Sequence, residues 1–204
     1  MEMQSQASPA TPAWQPSPMW RTRDILVVAI IGVAFGVVFW AWGLAWSAFE
    51  PLNLVFPVLR DSLYAVWLVP AVLAPLIVRK PGAALFAEMV AAGVSAILGS
   101  QWGVDTLLSG FVQGAAAELV FAFTLYRLWS WPVLAIAAIA SAAAAWIHDW
   151  ALYYADISVD LQLARGVLMA ISALVFVALG SVLLERSLRR AGVLQGLGAQ
   201  GSGA

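Results

Sequence analysis

The sequence contains no cysteine and a single histidine, His148. Disulfide frameworks, thiolate metal sites and cysteine nucleophiles are therefore excluded, as is any site built from several histidines. Charge is also scarce. Asp, Glu, Lys and Arg make up 10% of the 204 residues, and the net charge is −1. A soluble domain carries about a quarter charged residues, so this chain lacks the means to cover a surface in water. Its near-neutral balance offers no basic field for nucleic acid. There is no Walker A loop, no G-x-S-x-G and no H-E-x-x-H, so the ATP-binding and hydrolytic chemistries of those motifs have no sequence support. What is abundant is apolar: 63% hydrophobic residues and a mean hydropathy of +0.89. The eleven tryptophans suit membrane-interface belts or an aromatic pocket. The fold class expected is an all-α membrane protein, with no resident cofactor or metal.

Residues 1–20 read as a disordered leader rich in Pro, Ser, Ala and Gln, and 195–204 as a disordered tail. The leader has no apolar stretch after a basic start, so it is not a cleavable signal peptide. Between them, 21–194 reads as one transmembrane domain. Six spans are expected to cross a hydrocarbon core of about 30 Å. They run from about Ile25 to Ser47, Tyr64 to Val78, Ala83 to Leu98, Thr106 to Tyr126, Pro132 to Tyr153 and Leu161 to Leu184. Basic residues orient them. With the N-terminus inside, cytoplasmic segments hold Arg21, Arg23, Arg79, Lys80, Arg127, Arg186, Arg189 and Arg190, and outer segments only Arg60 and Arg165. That bias predicts both termini on the cytoplasmic side.

An ionised group at mid-bilayer costs at least about 2.5 kcal/mol, so such residues usually have a function. The spans contain Glu88, Glu118 and the His148-Asp149 pair, with Gln113 as a neutral polar group and, apart from Arg165 at the outer start of the sixth, no lysine or arginine to neutralise the acids. An interior cavity would be acceptor-rich and suit a cation or a ligand with N–H donors. The competing expectation is that these groups only hydrogen-bond between helices. Trp146, Asp149 and Tyr153 share a helix face, setting an aromatic plane, a carboxylate and a phenol together, as in sites for cationic heteroaromatic ligands. An interfacial aromatic belt is the alternative. Gly110, Gly114 and Glu118 share a face of the fourth span, and Gln113 points about 140° from Glu118. Neighbouring His148 and Asp149 point about 100° apart, so they form no dyad by default. In the first span, Ala29, Gly32, Gly36 and Gly43 make a small-residue stripe for close helix contact, either internal or with a partner.

The run Arg79-Lys80-Pro81-Gly82-Ala83-Ala84-Leu85, followed by Glu88 and Ala91-Ala92, resembles the signature of YkoE-type proteins. So do Tyr64-x-x-Trp67, Gln113-Gly114 with Glu118, Trp146-Ile147-His148-Asp149, and Trp20-Arg21 with Asp24. These proteins are membrane-embedded substrate-binding (S) components of energy-coupling factor (ECF) transporters for thiamine and its hydroxymethylpyrimidine precursor. The resemblance spans about residues 20 to 194. Ser95 departs from it, standing where a second acidic residue of the third span is expected. The first outer loop and much of the sixth span also differ.

The resemblance implies a six-helix bundle in a prokaryotic plasma membrane, with an outward-opening pocket and no enzymatic activity. It implies as partners a transmembrane T component and a pair of cytoplasmic ATPases. Candidate ligand contacts are Tyr64, Trp67, Glu88, Gln113, Glu118, Trp146, His148 and Asp149. The resemblance also assigns the Ala29, Gly32, Gly36 face to docking on the T component. Two rival readings stand beside this one. One is a self-contained carrier with Glu88 and Glu118 as proton sites. The other is an intramembrane hydrolase using Glu88, Glu118 and His148.

Overall fold

The structure, a computed structural model, describes residues 19–51 and 58–194. The expected disordered leader, apart from Met19 and Trp20, and the expected disordered tail lie outside the described residues. The described residues form six helices and no strand. These are α1 (Thr22–Ala48), α2 (Val69–Val78, entered through a 3-10 stretch Leu59–Leu68), α3 (Ala83–Ile97), α4 (Asp105–Phe123), α5 (Trp131–Tyr153) and α6 (Val159–Arg190). Residues Ala173–Leu179 of α6 are π-helical. Five of the six are long and apolar enough to cross a membrane, counting α2 with its 3-10 entry as Arg60–Val78. The exception is α3, at 15 residues.

Burial distinguishes the helices. Every residue of α2 from Pro70 to Val78 is buried, so this short helix is the centre of the bundle. Its neighbour α3 turns an alanine face inward, with Ala83, Ala84, Ala87, Ala91 and Ala92 all buried. Small side chains bring backbones close, and in lipid it is such packing, not hydrophobicity, that holds helices together. Both flanking helices match α3 with glycines. A Cβ placed on Gly32 would lie 2.7 Å from Val90 Cβ, and one on Gly36 would lie 2.5 Å from Val94 Cβ. On the other side, Gly110 meets Ala92 and Gly114 meets the backbone of Leu85.

Within the chain, the α1 stripe meets α3. Gly32 and Gly36 are buried against α3, and Gly43 faces Trp102. Ala29 on the same face is partly buried. The stripe permits close contact as its spacing suggested, and this contact is internal.

The α2–α3 turn explains the Arg79-to-Leu85 run. Arg79 ends α2 in the left-handed conformation (φ 53°), and Gly82 precedes α3 at φ 86°, where the lack of a Cβ removes the steric cost. The first amides of α3 have no partner within the helix. The Glu118 carboxylate of α4 supplies one, accepting from Gly82 and, through Oε2, from Ala84 at 2.9 Å and Leu85 at 3.4 Å. Burial and the adjoining Glu118 carboxylate push the Tyr126 phenol well above its ordinary range. Trp20 Nε1 donates to the Pro81 carbonyl at 3.0 Å, and Lys80 Nζ to that of Met19 at 3.0 Å while pairing with Asp24 at 3.8 Å.

The opposite end holds the two arginines that the sequence reading assigns to outer segments. Both lie in helical segments and are buried. Arg165 of α6, 3% exposed, forms a two-point ion pair with Asp61 (Nε to Oδ2 2.9 Å, Nη2 to Oδ1 3.1 Å) and lies 3.6 Å from the centre of the Tyr154 ring. The Arg60 guanidinium sits 4.5 Å over Trp46 and donates to the Tyr154 hydroxyl at 3.3 Å. Hydropathy does not reveal this pairing, because each partner falls beside a polar connection.

Candidate ligand cavity

At the end of the bundle where α1, α3 and α5 finish and α4 begins, the helices part around a cavity of about 100 Å³. It lies opposite the Lys80-Pro81-Gly82 turn. One wall is aromatic. Trp46 of α1 and Tyr64 and Trp67 of the 3-10 stretch pack edge to face, with centroids 4.9 to 5.9 Å apart, and Trp102 stands 5.4 Å from Trp67. Edge-to-face contacts fix ring orientation as well as burying area. Trp67 Nε1 is anchored on the Phe39 carbonyl at 3.4 Å.

The other wall is polar. Asp105, Thr106, Ser109 and Gln113 come from successive inward positions at the start of α4, and His148, Asp149 and Tyr153 from the last turns of α5. They form a connected network. Gln113 Nε2 donates to Ser109 Oγ at 2.6 Å and to the Tyr64 hydroxyl at 3.3 Å. Tyr64 in turn donates to Asp149 Oδ1 at 3.4 Å. His148 Nδ1 lies 3.0 Å from that same oxygen, and its Nε2 lies 3.1 Å from Asp105 Oδ1. The Tyr153 hydroxyl donates to Asp105 Oδ2. Ser141 Oγ bonds the Gln113 carbonyl at 3.1 Å, fixing α4 against α5. Apart from His148, no basic side chain lines the cavity among the described residues. Carboxylates accept and do not donate, so the wall presents acceptors and negative charge beside flat apolar rings.

Of the eight residues singled out from sequence, the cavity gathers Tyr64, Trp67, Gln113, His148 and Asp149. It does not gather Glu88, Glu118 or Trp146. Glu118 is occupied with the α3 amides at the far end of the bundle. Trp146 faces α6, donating to the Gln162 carbonyl at 2.9 Å, with Gly166 under its indole. It therefore parts from Asp149 and Tyr153, although helix spacing put the three on one face. Glu88 is fully buried one turn below Ala92. Its Oε1 accepts the Ala71 amide at 2.9 Å, capping α2, and its Oε2 has no hydrogen-bond partner. The remaining lining residues, notably Trp46, Ser95, Trp102 and Asp105, were not singled out as ligand contacts. The signal for Asp105 was available, since it lies eight residues before Gln113 on the same helix.

Comparison with known proteins agrees with this architecture. Residues 23–144, more than half of the chain, match a family described as the permease component of an ABC-type cobalt transport system. The chain is 33% identical over 181 residues to the putative HMP/thiamine permease protein YkoE of Bacillus subtilis (strain 168), covering 87% of this chain and 89% of the relative. A crystal structure of an S-component of an ECF transporter superposes with a TM-score of 0.83 at 32% identity, covering 88% of this chain and 90% of the other. A buried helical core, one cavity-bearing end and these likenesses lead to one assignment: the chain belongs to the YkoE family of ECF-type S components, multi-pass transporter subunits of the prokaryotic plasma membrane and not enzymes.

Proposed function

We propose that this S component captures thiamine, or the aminopyrimidine precursor of thiamine, in the cavity between α4 and α5. It would then hand the ligand to a transmembrane T component driven by two cytoplasmic ATPases. The observation that carries this reading is the pairing of an aromatic wall with an acceptor wall in one cavity. Thiamine joins a permanent thiazolium cation to an aminopyrimidine with N–H donors. Flat cationic rings are attracted to tryptophan faces, and N–H donors to carboxylate and carboxamide oxygens. Tyr64, Trp67, Gln113 and Asp149 are the contacts proposed, with Trp46, Trp102 and Asp105 added from the structure. The name of the Bacillus subtilis relative supports the ligand class. A metal cargo has less support: no group of three or more His, Asp or Glu side chains suited to a metal ion is found among the described residues. The basic residues at the Arg79 end support cytoplasmic termini and an outward-facing cavity.

The test is titration of the detergent-purified protein, read by tryptophan fluorescence and calorimetry. Thiamine should bind, while biotin and folate should not, since among the described residues no lysine or arginine lines the cavity to meet a carboxylate ligand. Tight biotin binding without thiamine binding sinks this reading. Uptake should require co-expressed ATPases; uptake without them would favour a self-contained carrier.

A further inference from the structure

His148 is held by two carboxylates at once, one on each of two helices. A neutral imidazole carries one N–H and one lone pair, and a carboxylate offers only lone pairs. A neutral ring could therefore satisfy Asp105 or Asp149, but would turn a lone pair on the other. Both contacts are favourable together only when both ring nitrogens carry protons. The ring is then an imidazolium wedged between α4 and α5. The remaining groups around it fit this arrangement. Tyr153 donates to Asp105 and Tyr64 to Asp149, so both acids face donors and stay acceptors. Of the nearby arginines, Arg165 is engaged by Asp61, and Arg60 lies over Trp46 and on Tyr154.

We propose that Asp105 and Asp149 form a cation subsite of the cavity, filled by the His148 side chain in the empty protein, and that a cationic ligand enters in exchange for one proton from His148. This rests on the ligand reading above and gives it a charge mechanism. A ligand cation and an imidazolium in one poorly solvated cavity repel far more than in water. Releasing the imidazolium proton to solvent removes that repulsion. Charge balances: one positive charge enters with the ligand and one leaves as a proton, so the cavity keeps the same net charge. The neutral imidazole retains one N–H for a carboxylate and gains a lone pair. That lone pair can accept from an amino group, so the exchange favours ligands carrying both a cation and an N–H donor. A neutral aminopyrimidine lacks the cation and leaves the proton in place.

The experiment is calorimetry of the full-length purified protein near neutral pH, in buffers of contrasting ionisation enthalpy. Thiamine binding should release about one proton, and its affinity should rise by up to about tenfold per pH unit while His148 is protonated in the empty protein. Neutral hydroxymethylpyrimidine should bind with no release. His148→Gln should weaken thiamine binding without abolishing it, and should lose both the release and the pH slope. Thiamine binding without proton release, or an equal release from His148→Gln, overturns the proposal and leaves the ligand reading standing. Absence of thiamine binding to the native protein overturns the ligand reading and this proposal with it. If His148→Gln does not fold, the comparison of the two ligands on the native protein decides, since equal release with both contradicts the exchange.

Discussion

The carboxylate of Glu118, on α4, closes the first turn of α3 by accepting the amide of Gly82. An intramembrane acid that reads from sequence as a ligand contact or proton site is thus a helix cap supplied from a neighbouring helix. Glu118→Ala should destabilise the protein by about 1–3 kcal/mol, the usual cost of stranded charge-assisted hydrogen bonds. Thiamine affinity of the folded fraction should stay within a few-fold of the parent. Thermal unfolding in detergent alongside ligand titration measures both. An affinity loss with unchanged Tm would return Glu118 to the cavity.

Asp149→Asn should behave in the opposite way. It keeps the side chain's volume and removes the charge at the meeting point of Tyr64 and His148. Loss of a charge-assisted bond of about 1.5–3 kcal/mol weakens thiamine binding roughly ten- to a hundredfold. Parental affinity in this variant would show that Asp149 only braces the network.

Gly36→Leu, or Gly32→Leu, forces side-chain atoms into Val94 or Val90, where even a Cβ is too close. Overpacking of this kind costs about 1–3 kcal/mol or more, so the isolated protein should melt earlier and lose ligand binding. Val94→Ala should not rescue Gly36→Ala, because alanine keeps the Cβ that would lie 2.5 Å away and the Ala91 carbonyl oxygen would lie 2.8 Å from the added carbon. A stable, ligand-binding Gly36→Leu protein would contradict the internal contact of α1 with α3.

Asp61→Asn leaves Arg165 buried without its counter-charge, a change that typically costs about 3–5 kcal/mol. Replacing both residues together, Asp61→Leu with Arg165→Met, should be much milder. Denaturation midpoints of the two singles and the double form the cycle. Additive losses would mean that the pair is not coupled.

Tyr126 gives a pH dependence. Its phenol is pushed up in the folded protein by burial and by Glu118, while the unfolded phenol titrates at about 10. Below that pH both states hold the proton and its contribution is constant. As pH rises past about 10 the unfolded chain ionises first, so stability falls. Tyr126→Phe should flatten part of that fall in denaturation midpoints measured across the alkaline range. Identical slopes in parent and variant would remove Tyr126 from the account.

The helices were legible in the sequence because a hydrocarbon core demands long apolar runs, and α1, α5 and α6 supply them without ambiguity. The cavity was half legible. Tyr64, Trp67, Gln113, His148 and Asp149 announce themselves as polar or aromatic groups within apolar helices. Trp46 does not, because a residue near a helix end reads equally well as an interface anchor. The remaining ambiguities share a cause. Whether Glu118 faces a ligand or an amide, whether Trp146 faces a cavity or α6, and whether Gly36 faces Val94 or a partner all depend on which helices are neighbours. Periodicity gives the face of a helix and says nothing of what lies opposite. The Asp61–Arg165 pair is the same problem across 104 residues of sequence.

The two ends of the molecule are held by different kinds of bond. At the Arg79 end, backbone amides and carbonyls are gripped by Glu118, Trp20 and Lys80. At the cavity end, the polar wall is held by side chains that grip one another. Mutations that rewrite the cavity therefore leave the amide caps untouched, and the fold can outlast a change of cargo. Such a division of labour lets one scaffold keep its basic end unchanged while the residues that line its cavity vary.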